Sequence, residues 1–120
     1  MNLFNPPKAS QKKNEPAPSG HSIVIRFRFG QHNLDPISYL EGRINAALRN
    51  RSLGAYAGCK MEDDYSHGFL YLHGPNADEL FAAIRPELEK NALMDRAEIR
   101  LRYGPLNVQA EEKVLTIKSQ

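Results

Sequence analysis

The chain has only one cysteine, Cys59, among its 120 residues. A single cysteine excludes an intrachain disulfide and favours a reducing compartment, so we expect a cytoplasmic protein. Long apolar runs are missing as well. No segment approaches the roughly 20 apolar residues of a membrane-spanning helix, and the N-terminus lacks the apolar stretch of a signal peptide. We therefore expect no membrane partner.

Side chains in the spacing of a catalytic or metal site are also lacking. The histidines His21, His32 and His73 are scattered, and nothing pairs them with a nucleophile. The hairpin from Glu62 to His67 combines three carboxylates with a histidine, but its spacing is not that of an EF-hand or a zinc site. We interpret this hairpin as a solvated turn. The sequence thus predicts no enzyme, no metal and no cofactor.

The excess of positive charge lies at the N-terminus. The formal net charge is +2, from 16 basic and 14 acidic residues. The first twenty residues contain three lysines, one glutamate and four of the eight prolines. Such a segment cannot bury enough apolar surface to offset its ordering entropy. We expect residues 1–20 to be a disordered tail and residues 21–120 to form one α+β domain of zero net charge.

Apolar periodicity predicts an alternation of strands and helices. Residues 22–29 alternate strictly between apolar and polar faces, as a half-buried strand does. Asp35 and Pro36 favour a helix start, and Asn76 with Glu79 has the form of a capping box. Five strands are predicted, at 22–29, 55–64, 69–73, 97–103 and 112–118, with one helix between the first two and another after Asn76.

Smaller features refine this prediction. Gly58 indicates a bulge or an edge position in the second strand, and Pro86 should kink or split the second helix. The order βαββαβ with a short terminal strand predicts a ferredoxin-like sandwich, in which two helices cover one face of an antiparallel sheet. Its predicted core includes Phe27, Ile44, Phe81 and Leu101.

An aromatic-Gly-Pro sequence occurs twice, at His73-Gly74-Pro75 and at Tyr103-Gly104-Pro105. Proline cannot donate to a strand ladder, and glycine tolerates the sharp exit from it. We interpret both as strand ends rather than as anion-binding loops, because neither is accompanied by the lysine of a phosphate-binding loop.

The segments LGAYAG, FLYLHGPNADELFAAIRPELEK and AEIRLRYGP resemble a group of small bacterial proteins of unassigned function. That group shares an aromatic-Gly-Pro-(Asn/Asp)-Ala-Asp helix start and a Leu-Arg-Tyr-Gly-Pro strand end. The resemblance covers about residues 22–118 and implies a bacterial α+β domain with no assigned catalytic or ligand residue. The chain departs from the group at GCKMEDDY, where the group tends to have Asp-Gly-x-Glu.

A cluster of arginines is the strongest candidate for a functional surface. The first and fourth strands are neighbours in the predicted sandwich, so Arg26, Arg28, Arg100 and Arg102 should lie together on the helix-free side. Four like charges repel one another unless an anion or a carboxylate balances them. The third strand adds either Phe69, Tyr71 and His73 or Leu70 and Leu72 to the same face, and Tyr71 is the aromatic candidate for binding. Basic and aromatic groups on an open sheet are how RNA-recognition domains stack bases.

Arginine and aromatic side chains are also enriched at protein interfaces, and the first strand offers arginines where a base-binding sheet has rings. The sequence therefore favours a non-catalytic bacterial binding protein whose partner is another protein or a second copy. Immunity and antitoxin proteins are examples of that class. The alternatives are nucleic-acid binding through the arginine and aromatic face, and a small-molecule sensor with a pocket between sheet and helices.

Overall fold

The computed structural model of the protein describes residues 20–49, 51–105 and 108–118. Apart from Gly20, the predicted tail of residues 1–20 lies outside them. The described elements are the strands β1 (His21–Arg28), β2 (Ala55–Met61), β3 (His67–Gly74), β4 (Glu98–Arg102) and β5 (Glu112–Thr116), the helices α1 (Asp35–Ala47) and α2 (Ala77–Glu89), and the 3₁₀ turns Arg51–Leu53 and Ala92–Met94.

The five strands form one antiparallel sheet in the order β2-β3-β1-β4-β5. Strand β1 lies in the middle and pairs with β3 on one side and β4 on the other. The short strand β5 pairs with the outer edge of β4. The prediction of an α+β domain with an antiparallel sheet is confirmed, and so is the pairing of the first strand with the fourth.

One face of the sheet carries the hydrophobic core. The side chains that alternate inward from the strands pack against the apolar stripes of α1 and α2 in a single buried cluster. The four predicted core residues all belong to it, with exposures of 2% for Phe27, 0% for Ile44, 6% for Phe81 and 2% for Leu101. Both helices cover the same face, which leaves the opposite face for other contacts.

The start of α1 differs from the prediction. Leu34 is the N-cap residue and makes no side-chain cap, while Asp35 is the first helical residue. The amide of Asp35 instead donates to the side-chain oxygen of Asn33, at 3.1 Å. Because the helix begins at Asp35, this residue lies inside the first turn and does not act as the cap. The helix also ends at Ala47, well before Gly54.

The start of α2 agrees with the prediction. Asn76 is the N-cap, and its side-chain oxygen accepts from the amide of Glu79 at 3.1 Å. The helix continues through Pro86 and is not split there. Pro86 has no amide hydrogen to donate to the carbonyl of Ala82. Because this carbonyl lies on an exposed turn, water can donate to it instead.

The glycines and prolines end or bend strands where the sequence indicates. Strand β2 shifts register between Tyr56 and Gly58, and Gly58 has a φ of 127°, which favours glycine. Strand β3 ends at Gly74, the glycine of the first predicted Gly-Pro stop, and β4 ends at Arg102, two residues before the second. In the described part of the chain, the helices are too short and too polar to cross a bilayer.

Candidate functional site

We call the sheet face opposite α1 and α2 the open face. The strand register assigns its side chains, because residues directly opposite each other in neighbouring strands point to the same side. The open face thus comprises Lys60 on β2, Phe69, Tyr71 and His73 on β3, Val24, Arg26 and Arg28 on β1, Glu98, Arg100 and Arg102 on β4, and Glu112, Val114 and Thr116 on β5.

All five residues that the sequence proposed for binding lie on this face, namely Arg26, Arg28, Tyr71, Arg100 and Arg102. Their surroundings divide the face into two halves. The half formed by β2, β3 and β1 carries aromatic rings and cations, and the half formed by β4 and β5 carries arginines balanced by glutamates.

The aromatic half centres on two rings of β3. The rings of Phe69 and Tyr71 have centroids 6.5 Å apart and planes inclined by 17°. Phe69 lies between Lys60 on one side and Arg26 on the other in the strand register. A depression of about 560 Å³ adjoins both rings and Lys60 and reaches the turn after β2.

The cations of the aromatic half have no acidic partner among the described residues. Lys60, Arg26 and Arg28 are exposed, and the ion pairs found within those residues involve other side chains. Strands lie about 4.8 Å apart. Arg26 lies opposite Glu98 in the strand register, but the ion pair of Glu98 is with Arg100. A cation that forms no ion pair among the described residues therefore flanks Phe69 on each side.

In the β4–β5 half, arginine and glutamate side chains alternate and pair with one another. Arg100 donates to Glu112 at 2.6 Å and to Glu98 at 2.7 Å, and Arg102 donates to Glu112 at 2.8 Å. Hydrogen bonds from Arg102 and Arg100 lower the pKa of the Glu112 carboxyl, and the bonds to Glu112 and Glu98 raise the pKa of Arg100. The predicted repulsion between arginines is thus relieved by carboxylates of the same face.

Arg102 departs from the expectation of an exposed, dispensable charge. Its side chain is only 11% exposed. Besides Glu112, its guanidinium donates to the carbonyls of Pro105 and Val108, which belong to the connection between β4 and β5. Three of its five N–H groups donate within the fold and the side chain is buried, so the expectation of an exposed Arg102 is wrong, while its contact with a partner stays a prediction. Its role in the fold is to hold that connection.

The same connection covers one corner of the open face. Ser22 is fully buried although its side chain points to this face. Its hydroxyl donates to the carbonyl of Gly104 at 2.8 Å, and the amide of Tyr103 donates to the carbonyl of Glu111 at 2.9 Å. The accessible part of the face therefore begins beyond Ser22, at Val24 and Tyr71.

The carboxylates of the turn between β2 and β3 hold that turn in shape. Asp64 accepts from the amide of Ser66 at 2.9 Å, and Glu62 accepts from the Ser66 hydroxyl at 3.2 Å. The hydrogen bonds from Ser66 lower the pKa of the Asp64 carboxyl. Glu62 also lies 3.6 Å from Nδ1 of His67. The turn is therefore a hydrogen-bonded acidic rim beside Lys60.

Cys59 lies on the opposite, helix-covered side of β2. Its thiol is half-buried and contacts the sulfur of Met61 at 3.9 Å. Burial, with a smaller effect of the Glu41 charge, raises its pKa above the ordinary 9.0. Nearby, the Tyr56 hydroxyl donates to Glu41, and burial with this bond raises the pKa of Tyr56. Both groups are therefore kept in their neutral, less reactive forms.

Another depression lies away from the open face. A groove of about 420 Å³ runs between α2 and β5 and is lined by Phe81, Leu101 and Leu115 with several charged residues. The space directly between the helices and the central strands is filled, since Ile25, Leu70 and their neighbours have exposures of 0%. A sensor pocket, which the sequence offered as an alternative, could lie in this groove or in a depression of about 320 Å³ between the end of α1 and the start of β2, lined by Leu48, Gly54 and Tyr56.

Comparison with known proteins adds no assignment. No family model matches the chain, and neither the curated proteins nor the solved structures contain a significant match to it. The geometry of the open face is therefore the evidence on which a function can be proposed.

Sequence reasoning missed two residues of this face and left a third, Phe69, open. The apolar sequence of β3 allowed two orientations, and in one of them Phe69, Tyr71 and His73 point outward. Phe69 could therefore be predicted from the sequence. Lys60 could not be predicted, because the bulge at Gly58 changes which residues of β2 face outward. Glu112 could not be predicted either, since its pairing with Arg100 and Arg102 depends on the addition of β5 to the edge of β4.

Proposed function

We propose that this protein is a non-catalytic binding module that holds a macromolecular partner on the open face. One observation carries the proposal. Two half-buried rings, Phe69 and Tyr71, lie nearly parallel on an inner strand of a sheet face that no described helix covers. Soluble proteins rarely expose adjoining aromatic rings to water unless a binding partner contacts them.

The architecture supports a finer proposal about the fold. The strand order β2-β3-β1-β4 and the two helices on one face fit a ferredoxin-like sandwich extended by β5. Within the same proposal, the protein is bacterial, cytoplasmic and related to the group of small bacterial proteins that its Gly-Pro motifs resemble. The single half-buried cysteine is consistent with a reducing compartment.

A protein partner, or a second copy, is the candidate that the sequence favours. The observation in its support is the β4–β5 half, where Val114 is 51% exposed beside the Arg100 and Glu112 pair. An apolar side chain next to balanced charges is typical of the rim of a protein interface. An immunity or antitoxin role would be one form of this candidate.

The proposal is tested by crosslinking in cells of the source organism. A photoreactive amino acid replaces Tyr71 in one variant and Tyr39 in the other. Tyr39 is a matched control, since it is an aromatic residue on α1 that is 67% exposed. We expect crosslinked macromolecules from position 71 and few from position 39. Equal yields from the two positions would contradict the proposal.

A further inference from the structure

We infer that the aromatic half of the open face binds single-stranded nucleic acid, with bases stacked on Phe69 and Tyr71. This inference rests on the proposed function, because it names the partner of the same face. The residues that carry it are the two rings and the three uncompensated cations around them, Lys60, Arg26 and Arg28.

The rings have the arrangement that stacking requires. Phe69 and Tyr71 occupy alternate positions of β3, so both rise from the same face, and their planes are within 17° of parallel. Planar groups in register along a strand can each receive the π-face of a base. Base stacking on such rings tolerates any sequence, because every base has a π-face. Duplex DNA offers no such faces, so the site would select single strands.

The cations have the arrangement that phosphates require. Lys60 and Arg26 are the cross-strand neighbours of Phe69 on its two sides, and Arg28 lies opposite His67 at the end of the same strands. A strand whose bases lie on the rings would bring its phosphates within reach of these side chains. Their positive charges have no acidic partner among the described residues, so a phosphate would supply the missing counter-charge.

The same charges argue against a protein in this half of the face. The centre of a protein interface is depleted of lysine and other charged groups. Here Lys60 and Arg26 flank the rings directly. Burying these two cations under an apolar partner surface would cost more free energy than the contacts contribute, unless each cation met a carboxylate. A nucleic acid meets this need with every nucleotide. The charge pattern thus favours a polyanion with planar groups.

The neighbouring charges also limit where the strand can run. The acidic rim at Glu62, Asp63 and Asp64 borders the depression beside Lys60 and would repel phosphates. The carboxylates of Glu98 and Glu112 are paired with arginines on the other side. The path of most positive potential therefore crosses β3 and β1 between these borders, over Phe69, Tyr71 and Arg26.

The experiment measures binding of fluorescent ten-nucleotide single strands, oligo(dT) and oligo(U), to the full chain by anisotropy at 50 mM and 200 mM salt. A duplex of the same length serves as the competitor. We expect the single strands to bind and the duplex to compete weakly. Phe69→Ala and Tyr71→Ala should each weaken binding by roughly 5- to 150-fold, the range that stacking of one base gives. Tyr71→Phe, which keeps the ring, should bind nearly as well as the parent chain.

The charge variants give an independent readout. Arg26→Ala and Arg28→Ala should each reduce the slope of log affinity against log salt by about 0.7, whereas the ring variants should leave that slope unchanged. Arg85→Ala is the matched control, since it removes the same charge from α2 on the other side of the protein. Far-ultraviolet circular dichroism and melting curves establish that each variant is folded.

Three results would overturn the inference. One is the absence of binding to any single strand at 50 mM salt. Another is binding that survives both Phe69→Ala and Tyr71→Ala. Crosslinks from position 71 that protease removes and nuclease does not would also overturn it, while leaving the open face as the binding surface. Failure of the proposed function looks different, because position 71 would then crosslink no better than position 39.

Discussion

Arg102 should be the arginine of the open face whose loss destabilises the fold most. Changing Arg102 to alanine removes a guanidinium that donates to Glu112 and to the carbonyls of Pro105 and Val108. Its side chain is 11% exposed, so water cannot easily replace it. Arg26 provides the contrast, because it is exposed and has no ion-pair partner among the described residues.

The size of the loss follows from these contacts. A hydrogen bond to a charged group contributes about 1.5–3 kcal/mol, and three such bonds in one network do not add fully. Glu112 also keeps its bond to Arg100 at 2.6 Å after the substitution. We therefore expect Arg102→Ala to cost roughly 2–4 kcal/mol of unfolding free energy. Arg26→Ala should stay within about 0.5 kcal/mol of the parent chain.

The assay is urea unfolding followed by circular dichroism, with melting curves as a second measurement. The midpoint should fall while the slope with denaturant stays constant, and the melting temperature should fall by on the order of 10–25 °C. Arg102→Lys should recover little, since lysine cannot reach a carboxylate and two carbonyls with one planar fork. Equal midpoints for Arg102→Ala and Arg26→Ala would refute the assigned role of Arg102.

Other expectations concern the core, the helix start, the thiol and acid stability. Phe27→Ala should cost about 3–5 kcal/mol in urea unfolding, and a variant of normal stability would place Phe27 outside the core. Asn76→Ala should lower the unfolding free energy by about 1 kcal/mol, with Asn76→Asp as the control that keeps a side-chain acceptor. At pH 8, where a thiol of ordinary pKa 9.0 is partly ionised, Cys59 should react with iodoacetamide more slowly in the folded chain than in urea, because burial raises its pKa. Equal rates would contradict this. The pKa of Glu112 is lowered from 4.5 in the fold, so its stabilising effect is present above pH 4.5 and is lost as the pH falls through the lower folded value. Glu112→Gln should therefore flatten the loss of stability measured between pH 5 and the acid transition.

The sequence by itself determined the element order and the inner faces of most strands. Strict alternation in β1 and β4 has a period of two, which assigns Phe27 and Leu101 to the core and Arg26 and Arg100 to the other side without any tertiary information. The cap at Asn76 and the strand ends at the Gly-Pro motifs are equally local, because each depends on the hydrogen bonds of only a few neighbouring residues. The helix start at Asp35 and Pro36 was predicted in the same way, but the N-cap is Leu34 and Asp35 is already helical.

Only the tertiary structure decided which arginines are available to a partner. Arg26 and Arg102 are alike in the sequence pattern, but one is exposed and the other is held by three acceptors, two of them carbonyls of a connection that folds back on β4. Likewise, Lys60 reaches the rings of β3 because a bulge at Gly58 sets the register of β2. These facts depend on contacts between residues distant along the chain or on backbone irregularity, and the period of side-chain alternation carries no information about either.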